Sequence, residues 1–175
     1  MDWENQLNHL FKELNKKEIV SFLSAHPIEI STLINVTSQS PERIAWRAAW
    51  IIDLLDRDKP ELISPHIADL HIILKATPYN GVRRSLLKII NHHSPSSLED
   101  GELLDKCFQW MITPTVPTAV RAHAMQYISQ LLPSYPDLKR EFELCLETAL
   151  NDGNKGIKAK ARNLLKQINS ANRSK

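Results

Sequence analysis

Two tryptophans four residues apart, Trp46 and Trp50, are the sharpest candidates for chemistry in this chain, and Asp53 and Arg57 follow them. Residues three or four apart share a helical face. On a helix the two rings would stand together, with an Asp53–Arg57 ion pair on the next turn. Paired aromatics beside basic residues suit two tasks. They can anchor a protein partner, since Trp and Arg are favoured hot-spot residues, or they can stack bases while cations hold phosphates. A structural reading competes with both. Trp3, Phe11 and Phe22 need a surface to bury against, and N-terminal helices folding back would cover both rings.

Other reactive residue types form no catalytic set. There is no Gly-rich phosphate loop, no GxSxG elbow and no HExxH zinc helix. Among seven histidines, His66 and His71 are five apart and splay on a helix, and the adjacent His92 and His93 are expected to diverge. Cys107 and Cys145 match no metal, redox or disulfide pattern and are expected to fill the core. Trp110, beside Leu104, Cys107 and Met111, is expected there too. The expectation is a non-enzyme with no catalytic residue, cofactor or metal.

Elements must position these residues, and the chain shows how. Scarce glycine (four in 175 residues) with abundant Leu, Ile and Ala disfavours a turn-rich β fold. Four segments align without gaps: Ile44–Ile52, Val82–Ile90, Val120–Ile128 and Ile157–Leu165, with starts 38, 38 and 37 residues apart. In each, positions one, five, eight and nine are apolar or small, which makes one stripe on one helical face. Leu55, Leu131 and Ile168 continue the stripe at position twelve, where His93 is the exception. Ser40-Pro41, Asn80-Gly81, Pro117-Thr118 and the Gly153–Gly156 stretch precede the four, as helix starters and turns do. Further helix-length stretches lie at 62–76, 99–112 and 137–150. Upstream, Trp3, Leu7, Leu10, Phe11 and Leu14 suggest one helix. Ile19 to Leu23 suggest a second, ended by His26-Pro27, and a third runs through Ile34.

A helix pair repeated every 38 or so residues buries its stripe only by stacking on neighbours. The pattern resembles HEAT repeats, whose second helix opens with Val-Arg and carries Ala at position five. Val82-Arg83, Val120-Arg121 with Ala124, and Ile157-Lys158 with Ala161 carry that signature over about residues 41–168. The family's turn aspartate is not evident. The 34-residue period and Trp…Leu-Gly…Tyr pattern of tetratricopeptide repeats are absent, as are the His-Glu dipeptides with which one HEAT-like enzyme class holds iron.

The resemblance implies an all-α, right-handed α-α superhelix: about four HEAT-like pairs plus capping helices. Residues 1–40 would be the N-terminal cap, including the first helix of repeat one. Residues 41–175 would be the repeats, with second helices starting near 44, 82, 120 and 157 and a basic C-terminal end. It also implies that second helices line a concave face, where positions three, seven and ten turn from the core. With flanking residues, the candidate partner-binding set is Trp46, Trp50, Asp53, Arg57, Arg84, Lys88, Gln126, Lys160, Asn163 and Lys166; Arg47 and His123 flank it. The expected function is a non-catalytic scaffold or adaptor holding a protein or peptide. The alternative is nucleic-acid binding of the DNA-alkylation-repair type, where tryptophans work with a catalytic aspartate.

Charge speaks against a strongly cationic nucleic-acid binder, because the net is only +2. Its distribution is uneven: residues 153–175 carry seven bases and no acid, which a solvated helix end explains as readily as a polyanion does. No signal-like N-terminus or membrane-length apolar run appears, so a soluble cytoplasmic protein is expected.

Overall fold

The structure, a computed structural model, describes residues 2–9, 15–94 and 101–173, and every regular element among them is a helix. The HEAT-type α-solenoid class implied by the repeat is the class observed. The chain forms two compact units, Met1–His93 and Ser94–Lys175.

In the first unit, α1 (Trp3–His9), α2 (Lys16–Ala25) and α3 (Ile28–Gln39) precede the long α4 (Glu42–Asp58). Asn15 starts α2 by accepting the Lys17 N–H at 3.0 Å, satisfying one of the orphan donors of a helix start. His26-Pro27 ends it, and α3 leaves at 117°. Leu10, Phe11 and Leu14 lie outside the described residues.

Pro41 launches α4, with φ of −57°. A proline there removes no intrahelical hydrogen bond, since the first N–H groups have no partner. Next come α5 (Pro60–Ile63), a 3-10 turn at Ser64–His66, α6 (Ile67–Ala76) and α7 (Asn80–His92). One helix was expected over 62–76; Pro65 breaks it, because its ring clashes with the preceding turn and donates no hydrogen bond.

Helix α4 is the hub of this unit and packs against α1, α2, α3, α5 and α7. Its sequence suits that place. Ala45, Ala48 and Ala49 are fully buried and let neighbours approach closely, and Ile51, Ile52 and Leu55 fill the space beside them. Because α1 and α2 also cover it, the buried face of α4 is wider than the stripe, and Ala45 is buried where the aligned Ile44 is only half-buried.

The second unit holds α8 (Gly101–Ile112), α9 (Thr118–Leu131), a 3-10 turn at Pro136–Leu138, α10 (Lys139–Ala149) and α11 (Lys155–Arg173). Helices α8 with α9 and α10 with α11 are the pairs, and α9 packs on α11. Positions five and eight of the stripe are buried in all four second helices (Ala48, Leu86, Ala124, Ala161; Ile51, Ile89, Tyr127, Leu164). Cys107 and Trp110 are buried as expected, while Cys145 is half-buried. Burial holds both thiols up from their ordinary value, helped at Cys145 by Glu141, so neither is a ready nucleophile.

In two of the pairs an arginine at position two ties the helices together. Arg83 donates from Nε to the Thr77 carbonyl at 3.1 Å, in the turn before its own helix. Arg121 is buried; its Nε donates to the Met111 carbonyl at 3.1 Å and its Nη2 to Asp152 Oδ2 at 2.6 Å. Asp152, in the turn before α11, therefore does what a turn aspartate would. Hydrogen bonds from Arg121, then from the Asn154 N–H, hold its carboxyl below the usual range. Asn154 also accepts from the Gly156 and Ile157 N–H groups at 2.9 and 3.2 Å and so caps α11.

Candidate functional site

Six of the ten candidate residues meet in the first unit. Trp46, Trp50, Asp53 and Arg57 from α4 and Arg84, Ser85 and Lys88 from α7 line one cleft of about 260 Å³. The helical spacing explains the convergence. Positions three and seven of α7 face the same side as positions three, seven and ten of α4, one repeat away.

Each ring is held by a different neighbour. Trp46, 36% exposed, lies over Gly81, where a Cβ would stand 2.6 Å from its Cδ1. Gly81 is thus more than a turn residue: it sits in the first turn of α7, and its missing side chain is the space the indole occupies. Trp50 is half-buried, and Lys16, at the start of α2, places its ammonium 5.6 Å from the ring centroid, within cation–π range. The N-terminal helices cover the pair only in part. Trp3 is occupied elsewhere, meeting Phe22 edge-on and donating from Nε1 to Glu29 at 2.7 Å.

Asp53 departs from expectation. Position ten should turn from the core, yet Asp53 is buried and forms the floor of the cleft. The reason is the neighbouring repeat: Lys88 reaches over it, with Nζ 2.8 Å from Oδ1 and 2.9 Å from Oδ2. Arg57 forms the expected i,i+4 pair at 3.6 Å and also donates from Nε to the Asp53 carbonyl. A buried carboxylate requires such partners. With Arg57, Arg84 and Lys88 against one carboxylate, the cleft keeps a positive balance, and Arg84 is exposed at its edge.

The other four candidates belong to the second unit. Lys160 Nζ donates to Gln126 Oε1 at 2.5 Å, and burial lowers the Lys160 pKa from its ordinary value. Asn163 and Lys166 stand exposed on α11. Arg47, expected beside the strip, instead points toward α1 and donates from Nη1 to the Leu7 carbonyl at 2.6 Å.

A second correction concerns His92 and His93. They do not diverge. His92 Nδ1 lies 2.7 Å from Asp56 Oδ2, and His93 Nε2 lies 2.6 Å from Asp56 Oδ1. The 100° rule fails because α7 ends between them: His92 is its last residue and His93, at φ −80° and ψ 8°, has left the helix. The signal available was His93 itself, a polar residue at position twelve, where leucine or isoleucine stands in the other repeats. His66 faces Asp69 at 3.9 Å.

The family model of the HEAT repeat domain matches the chain over residues 3–168. The chain belongs to the HEAT repeat family. That match starts at residue 3 and so includes the N-terminal helices, where the sequence pattern alone was weak. No curated protein and no solved structure matches the chain. HEAT membership establishes a helical repeat framework, and no single helix among the described residues is long and apolar enough to cross a membrane.

Proposed function

We propose that this HEAT domain is a non-catalytic scaffold that holds a partner protein or peptide through the Trp46–Trp50 cleft, on the face its second helices form. One observation carries the reading: two partly exposed indoles share a cleft with three basic side chains whose one carboxylate is already neutralised by Lys88. Such a cleft fits an apolar or aromatic side chain against Trp46 and an adjacent acidic group on Arg84 and Arg57. Trp and Arg are also the residue types that concentrate binding energy. The Asp53 carboxylate is buried and ion-paired, which suits a structural floor better than a general base.

Nucleic-acid binding remains the second reading, favoured by the same rings beside Arg57, Arg84 and Lys88. Fluorescence anisotropy separates the two. Labelled acidic peptides carrying a Phe or Trp, and single- and double-stranded oligonucleotides, are titrated at low and near-physiological salt. The scaffold reading expects peptide binding that survives added salt and falls about tenfold or more, ~1.4 kcal/mol, in Trp46→Ala. Oligonucleotide binding that weakens steeply with salt through counterion release, with no peptide binding, would replace it.

A further inference from the structure

Away from the cleft, Asp56, His92 and His93 form a second cluster, and we propose that it binds a single divalent transition-metal ion of the zinc class. One ligand atom from each residue lies within 4.8 Å of the others. Two imidazole nitrogens and one carboxylate oxygen are a donor set that zinc and its first-row neighbours accept, leaving at least one position for water.

Four features of the surroundings point to a cation rather than to packing. Asp56 is 1% exposed, and among the described residues its only charged or chargeable partners are the two histidines. Among the described residues no lysine or arginine pairs with it, unlike Asp53 one turn earlier. A buried carboxylate without a fixed cation is costly. The cluster also sits where α4 and α7 both end, at Asp58 and His92. Helix C-termini present unpaired carbonyls and a partial negative charge, which adds to the attraction for a cation.

Third, His93 occupies the stripe position held by Leu55, Leu131 and Ile168, so an apolar core residue has given way to a ligand type. Fourth, the His92 side chain is 48% exposed, which gives an ion a route in from solvent while Asp56 stays enclosed. Zinc bonds to nitrogen and oxygen run about 2.0–2.2 Å, which places tetrahedral ligands roughly 3.3 Å apart. The present contacts of 2.6 and 2.7 Å, made to different oxygens of Asp56, would open by about 0.6–0.7 Å, and the two ring nitrogens, within 4.8 Å of each other, would turn toward the shared ion.

The competing account is a carboxylate shared by two histidines with protons as the only cations. Isothermal titration calorimetry of the full chain with zinc chloride decides between them, alongside the visible spectrum with cobalt(II). The proposal expects one zinc per chain, a raised melting temperature with zinc, and cobalt bands of low coordination number. His92→Gln changes a half-exposed side chain, so circular dichroism should show an intact fold while zinc affinity drops at least tenfold. His93→Gln should do the same, and Trp46→Ala, in the separate cleft, should leave zinc binding unchanged. Absence of stoichiometric zinc binding, or binding that persists in both histidine variants, would overturn the proposal.

Discussion

At positions three and seven of its second helices, the first unit carries Trp46 and Trp50 on α4 and Arg84 and Lys88 on α7. The second unit carries Ala122 and Gln126 on α9 and Ala159 and Asn163 on α11. Positions five and eight of the stripe are buried in both. What differs is the layer above the core. Lys88 meets a buried carboxylate, whereas Lys160 meets the neutral amide of Gln126. Repetition therefore supplies a common frame, and the turned-out positions distinguish one stretch of it from another.

If the cores are equivalent, equivalent truncations should cost alike. Ile89→Ala in the first unit and Leu164→Ala in the second remove buried position-eight side chains. Each is expected to cost about 2–5 kcal/mol in urea unfolding; a several-fold difference between them would break the equivalence.

The layer above should respond unequally. Lys88→Ala leaves Asp53 buried with only the longer Arg57 contact, and it should destabilise the first unit by about 1–3 kcal/mol. Lys160→Ala removes a hydrogen bond to a half-buried neutral amide and should cost less than about 1 kcal/mol. Equal costs would mean that the Lys88–Asp53 contact contributes no more than a hydrogen bond to a neutral amide.

Acid should act on the second unit through Asp152. Arg121 holds the Asp152 pKa down, so its contribution is complete above the unfolded carboxyl value of about 3.9 and is lost as pH falls through the lower folded value. Asp152→Asn should remove that part of the acid dependence. Thermal unfolding of wild type and Asp152→Asn between pH 5 and pH 3 checks this.

The smallest effect on stability is expected at Gly81. Gly81→Ala gains helix propensity of up to about 1 kcal/mol but puts a methyl where the Trp46 ring lies. Net stability should change by less than about 1 kcal/mol, while the tryptophan emission shifts and peptide affinity falls. Unchanged affinity would show that the position of the Trp46 ring does not matter to binding.

Much of this was legible in the residues. The spacing of Trp46, Trp50, Arg84 and Lys88 places them on corresponding faces of successive second helices, and one cleft gathers them. The burial of Asp53 was not legible, because it depends on Lys88, 35 residues away. Gly81 read as a turn signal, since nothing local shows that an indole needs its empty Cβ site. The histidines were misjudged because helical periodicity was carried one residue past the helix end.

The sequence by itself determined the helical class, the period of about 38, the buried stripe and the starts of the second helices. These follow from 3.6-residue periodicity and from proline and glycine punctuation, which act within a few residues of themselves. Only the tertiary structure decided what each turned-out side chain touches: Trp46 over Gly81, Asp53 under Lys88, both histidines on Asp56. Those contacts join residues about one repeat apart. They depend on how far one helix is shifted and rotated against the next, and no local pattern encodes that.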